Sequence, residues 1–280
     1  MAKYKFKIVA ITPSYYLHVT KYINLKFMCL KWFVRIALFF MFLPIFYYVT
    51  HRDWTGAEQN KKYKKYDIST IKIPAQYKNW GIDVSKHNGE IHWDKVSKTL
   101  IDTTHISFAF VKATEGYWYI DPEFLDNWHS CEDEKITRSA YHFFRPNNNI
   151  RLQAWLYCMT VHIKKGDLPP VLDLESDDGI SDVEVLENAR IWLQIVENHY
   201  DMKPIIYTNL KYFNRIVKGN LENYPLWFAQ YRGEKPNLSD DTNWDIWQMS
   251  DKYNIEGINE KVDLNVLNPS FDYLESLRKK

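Results

Sequence analysis

Cysteine is scarce in this chain. Three occur in 280 residues, Cys29, Cys131 and Cys158. None belongs to a CxxC pair or a Cys/His cluster, which excludes the common zinc frameworks. Cys29 falls in an apolar N-terminal region, leaving Cys131 and Cys158 either to bridge or to stay as two free buried thiols. Acidic charge is missing from the start of the chain: the first carboxylate is Asp53. The formal net charge of +1 therefore averages two unlike parts. The remainder is acidic on balance, which argues against nucleic acid as a partner. No EF-hand-like loop and no His/carboxylate ligand spacing occurs, so neither a metal nor a cofactor is expected.

Apolar and aromatic residues are plentiful, at 46% and 16%. That composition is globular, and its aromatics serve a large core or stacking on sugars. The run "FVRIALFFMFLPIFYYV", Phe33 to Val49, carries one charge, Arg35. With the apolar residues before it, it is about long enough to cross a bilayer, with Tyr47 and Tyr48 at one interface. Lys3, Lys5, Lys7, Lys21, Lys26 and Lys31 precede it, which favours a cytoplasmic N-terminus and an extracytoplasmic globular part. Lys61, Lys62, Lys64 and Lys65 flank its far side and weaken that bias. No A-x-A-like cleavage site follows Val49, so a retained anchor is expected over a signal peptide. The expected organisation is a cytoplasmic stretch and anchor over 1–52, a polar linker over 53–79 and a catalytic domain over 80–280.

From Trp80 onward, short apolar runs alternate with amphipathic ones. Strands are expected at 80–85, 106–113, 137–144, 168–175, 204–209, 225–231, 244–250 and 261–267. Apolar spacing predicts helices over 150–165 and over Val183–Tyr200. Strand–helix alternation implies an α/β fold with a largely parallel sheet, and eight strands in so short a span imply a compact barrel. Helices become hard to find after Lys218, so hairpins are expected to close that side.

Four acids sit in or at the end of these apolar runs: Asp83, Asp173, Glu175 and Asp263. Asp173 and Glu175 stand two apart in "PPVLDLES", and on a strand such residues share a face. Strand ends of a parallel barrel meet at one mouth, and adjacent first and last strands bring Asp83 to Asp263. Any one of these acids alone reads as a cap or loop anchor; four together do not. Clustered carboxylates raise one another's pKa, so one can hold a proton beside an ionised neighbour. Glycoside hydrolysis requires that pairing.

"GIDVSKHNGEIHWDKV", "FVKATEGYWYIDPEF", "AYHFFRP", "PPVLDLE", "IIYTN", "LWFAQY", "DIWQMSD" and "VDLNVL" follow one another from residue 81 to 267. Their order resembles glycoside hydrolase family 25, the lysozymes (N-acetylmuramidases) of the Chalaropsis and Cellosyl type. The resemblance implies a modified (β/α) barrel and hydrolysis of the β-1,4 bond between N-acetylmuramic acid and N-acetylglucosamine in peptidoglycan. It implies Glu175 as general acid, and Asp173 as the carboxylate assisting the substrate's N-acetyl group or a developing oxocarbenium ion. Asp83 and Asp263 match the two further acids. Tyr141, Tyr207, Trp227 and Gln248 match groove-lining positions, and Lys112 and Glu115 a supporting shell. A monomer is the expected state. The alternatives are a wall-binding module that does not cut, or a hydrolase of another N-acetylated polysaccharide; the chitinase signature DxxDxDxE is absent. Two departures stand out: "KHNG" where the family often carries Gln, and "CEDEKITRS" without the glycine common there. His87 and His142 are expected as neutral histidines in the wall. Tyr117, Trp118 and Tyr119 read equally as a sugar-stacking lip or as loop packing.

Overall fold

The computed structural model describes residues 78–101, 103–231, 236, 238, 244–268 and 278–280. The anchor and linker expected before residue 78 lie outside these. Among the described residues, no helix is long and apolar enough to cross a membrane.

The strands are β1 (Trp80–Val84), β2 (Leu100–Ile101), β3 (Thr104–Glu115), β4 (Tyr119–Ile120), β5 (Thr137–Phe143), β6 (Val171–Asp173), β7 (Ile205–Asn209), β8 (Leu226–Ala229), β9 (Ile246–Tyr253) and β10 (Val262–Leu267). All eight expected runs contribute. Ordered β1-β3-β5-β6-β7-β8-β9-β10 and back to β1, they close into a mixed barrel, with β2 and β4 added to β3 outside it. The strands are buried on both faces, which is why they read as continuous apolar runs rather than alternating ones. Inside the barrel pack Phe108, Phe110, Val171, Ile205, Trp227 and Ile246. Outside, a larger layer joins the sheet to the helices.

The hairpin expected on the side after Lys218 is present, and it corrects the expectation that Asp263 reaches Asp83 from a parallel last strand. β10 runs antiparallel to both β9 and β1, while the other pairings of the barrel are parallel. The connection over 254–261 is too short for a crossover, so the chain must turn back as a hairpin. This reversal decides where Asp263 lies. It is the second residue of β10, and a parallel strand would carry it to the far end of the barrel. Reversed, it becomes the direct ladder partner of Asp83.

The helices are α1 (Trp93–Val96), α2 (Phe124–Asp133), α3 (Ile150–Thr160), α4 (Asp182–Tyr200) and α5 (Leu210–Tyr212), the last running into a π-type turn over Phe213–Val217. α4 starts behind a capping box, in which Ser181 Oγ accepts from Glu184 N and Glu184 Oε2 accepts from Ser181 N; this satisfies two donors that the first turn leaves open. α3 stops at Thr160 instead of reaching 165. Val161 is extended and buried, and its carbonyl accepts the Tyr200 hydroxyl. α2 was not anticipated: its buried stripe, Phe124, Asn127, Trp128 and Cys131, has helical spacing but includes a polar residue. After Val217 the described residues contain no helix, as expected.

Gly81 makes room for the barrel floor. A Cβ there would stand 2.3 Å from the Phe108 ring, so only glycine lets Phe108 fill the lumen one step below Asp83. At the opposite end, the buried Arg138 guanidinium bonds Asp167 at 3.0 Å and the Trp128 carbonyl at 2.6 Å. The main chain of Lys279 pairs with Gly166 and Asp167 beside it. Cys131 and Cys158 are free and buried, which settles the bridge-or-thiol alternative; burial raises both thiols, Cys158 to about 11. The missing glycine also has a counterpart here. Lys135 takes it up at φ +58, the left-handed region where a side chain is disfavoured.

Candidate active site

The mouth of the barrel opens into a cavity of about 300 Å³. Asp83 reaches it from the end of β1, Asp173 from the end of β6, Glu175 from just beyond, and Asp263 from the start of β10. All four predicted acids therefore meet. Of the other predicted residues, Lys112, Tyr141, Tyr207, Trp227 and Gln248 line the same cavity. Glu115 does not; it stands behind Lys112.

A directed chain of hydrogen bonds holds Asp83. Tyr207 and Tyr231 both donate to Gln248 Oε1, at 2.9 and 2.7 Å. That fixes the amide orientation, so Gln248 Nε2 donates to Asp83 Oδ2 at 2.9 Å. Asn265 Nδ2 donates to the same oxygen at 2.7 Å, and Trp227 Nε1 orients Asn265 through its Oδ1 at 2.8 Å. The Trp227 ring is clamped in turn, stacked on Phe110 at 4.2 Å and edge-on to Tyr207. Asn265 and Tyr231 were not singled out in the sequence. Asn265 carried a usable signal, since it stands two residues from Asp263 and so shares its face.

The electrostatics follow from this burial. Desolvation pushes Asp83 up to about 6, against the bonds from Asn265 and Gln248 that favour its charged form. Asp263 rises to about 9, through burial and then the adjacent Asp83 charge. Asp263 thus holds a proton and shares it with Asp83. Asp173 is raised well above the usual carboxylate range by burial and by the Glu175 charge. Its Oδ1 is buried and accepts no hydrogen bond among the described residues. Glu175 is raised by burial and by Asp83. Lys112 opposes both shifts. Its ammonium lies 2.7 Å from Glu115 Oε2, while Arg145 Nη2 holds Glu115 Oε1 at 2.7 Å. Burial works against the Glu115 charge, but these two cations outweigh it and hold the carboxyl below its usual range.

His142 behaves as a wall residue. Fully buried, it bonds Thr114 at 2.7 Å and Gln153 at 3.0 Å, and stacks on Trp192. Gln153 Nε2 donates to the Arg145 carbonyl, so its Oε1 faces His142 Nε2, which carries the ring proton. Desolvation lowers this histidine to about 4. His87 lines the rim of the cavity.

Comparison with known proteins agrees with this geometry. Residues 82–258 match the Glycosyl hydrolases family 25 pattern. An uncharacterized protein of Escherichia coli K12, YegX, is 36% identical over 82% of this chain and 85% of its own. Lysozyme M1 of Streptomyces globisporus is 31% identical over 68% of each chain. The structure of a family 25 glycosyl hydrolase from Bacillus anthracis superposes with a TM-score of 0.68 at 28% identity, covering 76% of this chain and 99% of that one. The chain belongs to glycosyl hydrolase family 25 and is a glycoside hydrolase.

Proposed function

We propose that the protein is a muramidase, cutting the β-1,4 bond between N-acetylmuramic acid and N-acetylglucosamine in peptidoglycan. The observation that carries this reading is the meeting of four carboxylates, two of them ladder partners, in one cavity of a family 25 barrel. Lysozyme M1 lends support by its name.

Glu175 is the general acid. It protonates the glycosidic oxygen as the bond to the anomeric carbon breaks. Asp173 supports the positive charge developing at the anomeric carbon, acting through the substrate's own acetamido group. Its unpartnered Oδ1 accepts the acetamido N–H, and the amide oxygen attacks the anomeric carbon. In the free protein, burial favours a proton on both Asp173 and Glu175. A substrate N–H at Oδ1 stabilises the Asp173 carboxylate and leaves the proton on Glu175. Water then opens the cyclic intermediate and gives its proton to the Glu175 carboxylate, restoring the acid. Asp83, beside the protonated Asp263, supplies the negative charge that favours a proton on Glu175. Tyr141 and Trp227 shape the walls.

The apolar run over 33–49, with basic residues before it, supports a tether with the catalytic domain outside the cytoplasm. The reaction is tested with Glu175→Gln on purified peptidoglycan, reading release of reducing ends and the masses of the products. Turnover should fall about 10²–10⁴-fold with no lowering of the unfolding midpoint. Unimpaired turnover would remove Glu175 from its role.

A further inference from the structure

A second cavity, of about 400 Å³, adjoins the acid cavity; the two share His87 and Lys112 in their walls. Their chemistry is opposite. One is walled by carboxylates, the other by the cations Lys86, Lys112 and Arg145 and by the aromatic tip of the β3–β4 hairpin. The hairpin displays that tip. Glu115 pairs with Tyr119 and Thr114 with Ile120, leaving Gly116, Tyr117 and Trp118 as the turn. Gly116 takes φ +55, the left-handed conformation that the reversal needs. Trp118 is 72% exposed, more than any other large apolar side chain described, and Tyr119 braces it edge-on at 6.0 Å. An indole left open in a cavity wall is suited to a flat apolar ligand face, such as the C–H face of a pyranose.

The cations are not equivalent. Lys112 and Arg145 are neutralised by Glu115, and Arg145 also by Asp178. Lys86 forms no ion pair among the described residues; its ammonium lies 5.0 Å from the centre of the Tyr119 ring. Its position is set by the backbone, since Lys86 N donates to Asp121 Oδ2 at 3.1 Å. Of these three cations, Lys86 is the one without a carboxylate ion pair among the described residues; it leans on Tyr119 and stands beside the exposed indole.

We propose that this second cavity is a glycan subsite, in which Trp118 stacks one sugar ring and Lys86 binds the carboxylate of that sugar's lactyl or peptide arm. The proposal rests on the muramidase reading for the identity of the glycan. Lys86 lies in the "KHNG" turn that follows β1.

The test is binding by the full chain carrying Glu175→Gln, with two soluble probes: peptidoglycan oligomers bearing lactyl-peptide arms, and chito-oligosaccharides without them. Adding Trp118→Ala should weaken both about tenfold, as expected for the loss of one stacked aromatic face. Adding Lys86→Gln should weaken only the arm-bearing oligomer, about threefold, and the difference should fade at high salt. Unchanged affinity in the Trp118 variant, or no binding of either probe by the parent, overturns the subsite. Equal weakening of both probes by Lys86→Gln overturns the carboxylate assignment. Turnover on cell wall, measured with Glu175 intact, separates the two readings. An active Trp118→Ala enzyme with unchanged KM refutes the subsite alone. Absent turnover with Trp118-dependent binding refutes the muramidase reading alone.

Discussion

Replacing Asp263 by Asn should stabilise the protein, and by an amount that grows with pH. In the folded chain Asp263 is raised from 3.8 to about 9, because it is buried and faces the Asp83 charge. An acid with a raised folded pKa contributes stability below its unfolded pKa and loses it as pH rises toward the folded value. Wild type is therefore penalised progressively from about pH 4 to pH 9. At pH 7 the gap from 3.8 is about three units, and each unit corresponds to ~1.4 kcal/mol, so the penalty is at most about 4 kcal/mol. Asn has the shape of the protonated acid, can donate the same hydrogen bond to Asp83, and does not titrate. Urea unfolding of wild type and Asp263→Asn at pH 4, 7 and 9 should give nearly equal stabilities at pH 4. The variant should then gain about 2–4 kcal/mol at pH 7 and more at pH 9. At ~2–4 °C per kcal/mol for a domain of this size, thermal melts should separate just as clearly. Loss of stability at pH 7, or a difference independent of pH, would refute the shared proton. Activity should fall in the same variant, since stability is withheld at this position to keep a proton in the cluster.

Three further outcomes follow from particular contacts. Gln248→Leu strands the buried Tyr207 hydroxyl and removes a donor from Asp83; at ~1–3 kcal/mol per unsatisfied buried group, unfolding should show a loss of about 2 kcal/mol or more. Because the Gln248 bond lowers Asp83, its removal should also move the Asp83 titration above about 6, visible by carboxyl NMR. Gly81→Ala drives a methyl into the Phe108 ring and should cost ~1–3 kcal/mol or more by overpacking; a neutral result in urea unfolding would contradict the tight floor. Lys135→Gly relieves a left-handed side chain. It should raise stability by ~0.5–1 kcal/mol, the left-handed penalty less the added entropy of glycine, read as a higher urea midpoint.

Much of this was legible in the sequence, because local patterns reflect local physics. Each of the eight barrel strands is an apolar run since both its faces are covered, and α4 is a regular amphipathic stripe behind a capping box. The four acids stood out because a carboxylate at the end of an apolar strand is costly unless it is used. α2 escaped notice because Asn127 interrupts its apolar stripe; in the fold its Oδ1 accepts the Trp93 indole N–H, a partner far away in the chain. Asn265 and Tyr231 were overlooked for a similar reason, since a polar residue on a strand means little until its partner across the barrel is known.

The sequence by itself determined the barrel's strands and the residues of its acid cluster, since burial and spacing are written along the chain. Only the tertiary structure decided the register in which β10 meets β1, and so that Asp263 is the direct ladder partner of Asp83. Register depends on the closure of the sheet, a relation between distant segments that no local pattern encodes. The same holds for the proton on Asp263. It is there because the position is largely buried and a second carboxylate, brought from the other end of the domain, lies against it.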